Sequence, residues 1–203
     1  MTFQAVIFDF GGVLVRTFDQ SGRWRWDERL GLPHGSVEQA VFNSMVARQA
    51  TAGAAPTTAI WDDVAQTLGL DADQLPQFRR DFWSGDRLDA KLVEFLRGLR
   101  PTYKTAILSN AWSNGRRVIA EDYGLADAVD EIIVSAEEGV AKPDARLYSL
   151  AVQRLGVPAS AAIMVDDFVK NVNGAVAAGL TGVLFRSTAQ VIDDLSLLLD
   201  INH

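Results

Sequence analysis

Short apolar runs that stop abruptly constrain this chain more than any other feature. They are Ala5 to Phe8, Thr105 to Leu108, Glu131 to Val134, Ala162 to Val165 and Gly182 to Phe185. Each is too short for a helix and is rich in Val, Ile, Leu or Phe. Runs of this kind fit strands buried on both faces, as in a parallel sheet. Helical patterns lie between them. Ala90 to Leu99 puts Leu92, Phe95, Leu96 and Leu99 on one face, and Pro143 to Leu155 does the same with Leu147, Leu150, Ala151 and Leu155 before Gly156. Asn171 to Ala178 repeats the pattern with Val172, Ala175 and Val176, and Gly179 is placed to cap it. Alternating strand and helix predicts a doubly wound α/β fold.

Residues 16–85 break that rhythm. They hold no buried-strand run, but Val37 to Ala50 and Thr57 to Leu70 read as helices, with Gln49 to Ala55 as the loop between them. Trp24, Trp26, Trp61 and Trp83 all lie in this stretch. The expectation is a helical insert (16–85) packed beside a sheet domain made of residues 1–15 and 86–203.

Composition narrows the function. A formal charge of -7 argues against nucleic acid and anionic membrane as partners. The chain has no cysteine, which excludes disulfides, thiolate catalysis and thiolate metal sites. Met1-Thr2-Phe3-Gln4 enters the first strand without a basic or apolar leader, and no apolar run approaches the length of a membrane span. The expectation is a soluble, cytoplasmic protein acting on small molecules; its oligomeric state, a homodimer included, is left open.

In open parallel sheets, ligands bind beyond the carboxyl ends of the strands. Asp9, Ser109 and Asp166 each follow such an end, and Asp167 and Lys142 recur in similar punctuation. A carboxylate at Asp9 can attack phosphorus to form an acyl phosphate. Carboxylate and phosphate repel, so a divalent cation must bridge them, and a hard ion such as Mg²⁺ prefers oxygen ligands. Asp9, a nearby backbone carbonyl and Asp166 or Asp167 can supply these. Ser109 can donate a hydrogen bond to a phosphoryl oxygen, and Lys142 can neutralise charge on Asp9 and on the transferring group.

The segments Val6-Ile7-Phe8-Asp9-Phe10-Gly11-Gly12-Val13-Leu14, Ile107-Leu108-Ser109-Asn110, Gly139-Val140-Ala141-Lys142-Pro143-Asp144 and Val165-Asp166-Asp167, with Asn171, Ala175 and Gly179, together resemble the haloacid dehalogenase superfamily of hydrolases. They look most like the subgroup of glucose-1-phosphate phosphatases and the phosphatase domain of soluble epoxide hydrolase. The resemblance implies a Rossmann-like fold with an inserted, mobile four-helix cap of the C1 type. It implies Asp9 as nucleophile, Ser109, Asn110 and Lys142 as phosphate-binding groups, and Mg²⁺ held by Asp9, the Gly11 carbonyl, Asp166 and Asp167. The substrate would be a small phosphorylated metabolite.

One position departs from that pattern. The usual phosphatase carries a second Asp two residues after the nucleophile, where this chain has Gly11. A carbonyl there can still bind metal, but the group that protonates the leaving group is gone, which typically costs about 10²–10⁴ in rate. Either the leaving group is a good one, or a residue of the insert such as Asp19 or His34 replaces the acid, or the protein is a weak enzyme. Trp112, three residues after Ser109, is a candidate substrate contact at the site rim, with packing against the insert as the alternative. Arg23-Trp24-Arg25-Trp26 is a weaker candidate, since tryptophans in a small helical insert usually form its core. A metal-free 2-haloacid dehalogenase and a noncatalytic binding protein on the same scaffold are the competing functions; paired Asp166-Asp167 counts against the first and Asp9, Ser109 and Lys142 against the second. A phosphotransferase or mutase is disfavoured by Gly11.

Overall fold

A computed structural model describes residues 2–201; Met1, where the leaderless start was read, and residues 202–203 lie outside them. Five parallel strands form one sheet in the order β5-β4-β1-β6-β7, with β1 (Ala5–Phe8) central between β4 (Lys104–Ser109) and β6 (Ala162–Asp166), and β5 (Glu131–Val134) and β7 (Thr181–Leu184) at the edges. The chain steps from β1 to β4 and β5 on one side, then crosses to β6 and β7 on the other. That reversal is the topological switch point at which open α/β sheets bind ligands.

Side chains alternate across the sheet, as the two-residue period of a strand demands. Val6, Phe8, Ile107 and Val165 face one core layer with α6 (Ala90–Leu99) and α11 (Thr188–Leu199). Ala5, Ile7, Ala106, Leu108 and Met164 face the other, with α9 (Ala145–Leu155) and α10 (Val169–Ala177). Fully burying an aliphatic or aromatic side chain contributes about 1.5–3 kcal/mol, which explains why every residue of β1 can be apolar. This is the α/β, Rossmann-like architecture the sequence predicts.

Between β1 and β4 the chain leaves the sheet. Two three-residue strands, β2 (Val15–Thr17) and β3 (Asp86–Leu88), pair antiparallel with Val15 opposite Leu88. They enclose five helices: α1 (Ser21–Arg29), α2 (Ser36–Phe42), α3 (Met45–Thr51), α4 (Thr57–Leu68) and α5 (Gln74–Trp83). These share an apolar core of their own, including Trp26, Val41, Ile60, Trp61, Val64, Phe78 and Phe82.

The helix predicted over 37–50 is two helices. It breaks at Asn43-Ser44, where the Ser44 hydroxyl accepts from Ala47 N at 3.0 Å and caps α3. The segment therefore carries five helices, not four. The loop predicted over 49–55 begins later, because α3 runs on to Thr51. The helix from Thr57 stops at Leu68, where Gly69 takes the left-handed conformation that terminates helices.

Candidate active site

The first turn after β1 carries Asp9, and its geometry explains the second of the two glycines that follow. Asp9 N donates to Val165 O at 2.8 Å, which ties the end of β1 to β6. Asp9 Oδ1 accepts from Phe10 N at 2.7 Å. Gly12 has φ +86°, and a Cβ there would lie 2.2 Å from Asp167 Oδ2, so only glycine lets the two loops approach. A Cβ on Gly11 would meet nothing within 4 Å, and Gly11 faces solvent.

Lys142 sits between two carboxylates. Its Nζ is 2.8 Å from Asp9 Oδ2 and 2.6 Å from Asp166 Oδ2, and all three residues are buried. Asp166 is wholly enclosed, and its Oδ1 accepts from Phe168 N and from Asn171 Nδ2, each at 2.9 Å. Asn171 is itself fixed, because Tyr148 Oη donates to its carbonyl at 2.7 Å. Asp167 is half-buried, and its Oδ1 is shielded from solvent with no hydrogen-bond partner.

One carboxylate oxygen each from Asp9, Asp166 and Asp167 lies within 4.8 Å of the others. Three convergent carboxylates beside a single ammonium leave net negative charge in a desolvated place. Burial pushes the Asp9 carboxyl up to about 7; Lys142 opposes this, and the charges of Asp166 and Asp167 add to it. Burial, and then the charge of Asp166, also raises Asp167. The unpaired, buried Asp167 oxygen and the all-oxygen donor set fit a hard divalent cation.

Ser109 closes β4, buried beside β1. Asn110 follows it and reaches to the Lys142 loop, not into open space. Its Nδ2 donates to Lys142 O at 3.0 Å, and its Oδ1 accepts from Lys142 N at 2.8 Å. This two-way clasp spans 32 residues of sequence and left no local signal. Trp112, three residues beyond Ser109, packs into the core of the helical segment. Its ring lies 6.0 Å from Phe42 and Trp61 and 6.3 Å from Trp83, centroid to centroid.

The remaining candidates lie elsewhere. Trp26 is buried in the helical core, while Trp24 is exposed and stacks on His34. Arg25 is exposed, but Arg23 is buried; it donates to Phe82 O and pairs with Asp86 and Glu38. His34 is held by Glu28 at 3.2 Å. Asp19 accepts from Ser21 N at 2.8 Å, a bond that holds its carboxyl below the usual range.

A family model for haloacid dehalogenase-like hydrolases matches residues 3–179. A phosphatase of Mycobacterium tuberculosis is 29% identical over 211 aligned positions, covering 98% of this chain and 96% of its own. A sesquiterpene phosphatase of Aspergillus oryzae is 27% identical, covering 90% of this chain and 89% of its own. Among solved structures, a haloacid dehalogenase-family enzyme of Bacteroides thetaiotaomicron, crystallised with magnesium and inorganic phosphate, superposes with a TM-score of 0.74 at 17% identity, covering 91% of this chain and 94% of that one.

Proposed function

The chain belongs to the haloacid dehalogenase-like hydrolase family, and from that premise we propose that it is a Mg²⁺-dependent phosphatase which cleaves a small phosphorylated metabolite through an aspartyl-phosphate on Asp9. One observation carries this reading: Lys142 Nζ bonds both Asp9 and Asp166, with Asp167 alongside, at the carboxyl ends of the central strands. A nucleophile, a cation and a set of hard oxygen donors are thereby in one place. The phosphatase names of relatives that align over nearly the whole chain support it further.

Asp9, Asp166, Asp167 and the Gly11 carbonyl would hold the Mg²⁺. When bound, it would offset the repulsion between carboxylate and phosphate and polarise the phosphoryl group. The chain's own residues do the rest. Asp9 attacks phosphorus with the oxygen that faces Lys142. Lys142 favours the ionised form of that carboxylate, orients it, and takes up charge on the phosphoryl oxygens. Ser109 donates a hydrogen bond to the same group. Asn110 holds the Lys142 backbone in place. The helices of residues 16–85 act as a cap over the core formed by 1–15 and 86–203, exclude water and select the substrate.

The test is hydrolysis of p-nitrophenyl phosphate with Mg²⁺, with EDTA and with Asp9→Asn. The expected result is turnover that needs the metal and vanishes in the variant. Halide release from a 2-haloacid without metal, and no phosphate release, would replace this reading with the dehalogenase one.

A further inference from the structure

We propose that the helical segment carries a binding site for a small planar anion, an aromatic ring bearing a carboxylate, sulfonate or phosphate, in a cavity lined by Pro76, Arg79, Arg80 and Trp83. The site shares no residue with the carboxylate cluster around Asp9, and it stands whether or not the phosphatase reading does.

Helical spacing brings the four residues together. Arg79, Arg80 and Trp83 follow Pro76 by three, four and seven positions in α5, so their side chains emerge on one face. The opposite face of α5 carries Phe78 and Phe82 into the apolar core of the helical segment. The cavity volume is about 410 Å³, within the range of about 300–1,000 Å³ usual for small-molecule sites.

Charge decides what the cavity prefers. Arg79 and Arg80 are exposed, and neither forms an ion pair among the described residues. In a chain of formal charge -7, two adjacent uncompensated guanidiniums make a local positive patch. Both are held by neutral groups. Arg79 Cζ lies 4.8 Å from the centre of the Trp61 ring, a cation–π contact that fixes the side chain and leaves its charge in place. Arg80 Nη2 donates to Gln77 Oε1 at 2.7 Å. The acid next to them in sequence, Asp81, accepts from Gln77 Nε2 at 2.7 Å and from Trp26 Nε1 at 3.0 Å. The remaining N–H groups of the two arginines can therefore grip a carboxylate, sulfonate or phosphate.

The indole supplies the other half of the recognition. Trp83 is 37% exposed, yet its ring stands edge-on to Phe82 at 4.9 Å, Phe42 at 5.8 Å and Trp112 at 6.3 Å, centroid to centroid. Packing of this kind holds the ring still, so stacking a flat ligand on it orders little that was mobile. An aliphatic anion would make the charge contacts and lose the stacking. A neutral ring would stack and lose the charge contacts. A flat anion makes both.

The experiment titrates naphthalene-2-sulfonate into the full chain, followed by calorimetry and by the tryptophan indole N–H resonances in NMR spectra. The probe carries no phosphate, so turnover plays no part. The expected result is saturable binding with Kd on the order of 1 mM at low salt, weaker as salt is raised, with the Trp83 indole resonance shifting. Arg79→Gln and Arg80→Gln are each expected to weaken binding about fivefold. Cyclohexanesulfonate, which has the charge without the aromatic ring, and naphthalene-2-methanol, which has the ring without the charge, are each expected to bind about fivefold more weakly than the probe. Both arginines are exposed, so these variants keep the fold, which circular dichroism verifies. Binding of equal strength in the Arg79→Gln/Arg80→Gln double variant, equal binding of the neutral ring, or no saturable binding of the probe overturns the proposal. The phosphatase reading is tested separately, by p-nitrophenyl phosphate and Asp9→Asn.

Discussion

Lys142 Nζ lies 2.8 Å from Asp9 and 2.6 Å from Asp166, so one ammonium joins the first and third strand ends that build the site. Both carboxylates are buried, and neither has another formal cation bonded to it among the described residues. Replacing Lys142 by Met keeps the length of the side chain and removes the charge. Leaving buried carboxylates without their partner costs about 3–5 kcal/mol, and losing a charged donor at the phosphoryl group costs about 10²–10³ in kcat. Denaturant unfolding without metal and steady-state turnover with Mg²⁺ check the two effects. A variant as stable and as active as the wild type would show that the ammonium is dispensable.

On the proposed reading, Asp9 links metal binding to pH. Its carboxyl is raised to about 7 in the folded, metal-free chain, first by burial and then by the neighbouring acids, against the pull of Lys142. Between about pH 4 and pH 7 the folded state keeps a proton that the unfolded chain has released. The unfolded state binds fewer protons in that window, so metal-free stability falls as pH rises through it. A metal ion held by Asp9, as proposed, must displace the same proton. Apparent Mg²⁺ affinity is therefore expected to weaken by up to about tenfold per unit as pH drops below 7. Calorimetric titration at several pH values checks this; an affinity that does not change between pH 5.5 and 7.5 would contradict it.

Asn110 tests positioning separately from charge. It makes two bonds to the Lys142 backbone and none to the Asp9 carboxylate. Each such bond contributes about 0.5–1.5 kcal/mol net. Asn110→Ala is expected to lower kcat about tenfold, the equivalent of one such bond, with little change in KM, because Lys142 is still present but less fixed. Steady-state kinetics separate the cases: a rise in KM for phosphate esters at unchanged kcat would instead make Asn110 a direct substrate contact.

The residues that stop apolar runs were legible in the sequence because strand burial and strand end are local properties. β1 and β5 are found at their predicted bounds. β2 and β3 were not legible. Val15-Arg16-Thr17 and Asp86-Arg87-Leu88 are too short and too polar to read as strands, and their pairing joins residues some seventy positions apart. The break in the 37–50 helix depends on a single hydroxyl cap at Ser44. Residues 74–83 were not read as a helix, although Pro76 falls in the first turn of α5, where the missing N–H has no helical partner. At the site, Asp9, Ser109 and Asp166 could be placed from local pattern. The Asn110 clasp and the contact of Gly12 with Asp167 arise only once distant loops meet.

Trp112 and Trp24 make a paired test of how the helical segment is held. Trp112 belongs to the loop after β4, yet its ring joins Phe42, Trp61 and Trp83. Two further contacts tie α4 and α3 to the sheet side: Thr57 Oγ1 lies 3.0 Å from Ser113 Oγ, and Ser135 Oγ donates to Thr51 O at 2.7 Å. Removing the Trp112 ring leaves a gap between α2, α4 and α5 that those polar contacts do not fill. A fully buried Trp→Ala change costs about 3–5 kcal/mol, and the partial exposure of Trp112 lowers the expectation to about 2 kcal/mol. Trp24 is 44% exposed and touches one ring, His34, so Trp24→Ala is expected to cost under about 1 kcal/mol. Denaturant unfolding of the two variants side by side checks the difference. Equal losses would mean that Trp112 does not bind the helices to the sheet, and its place at the rim would then point to substrate contact instead.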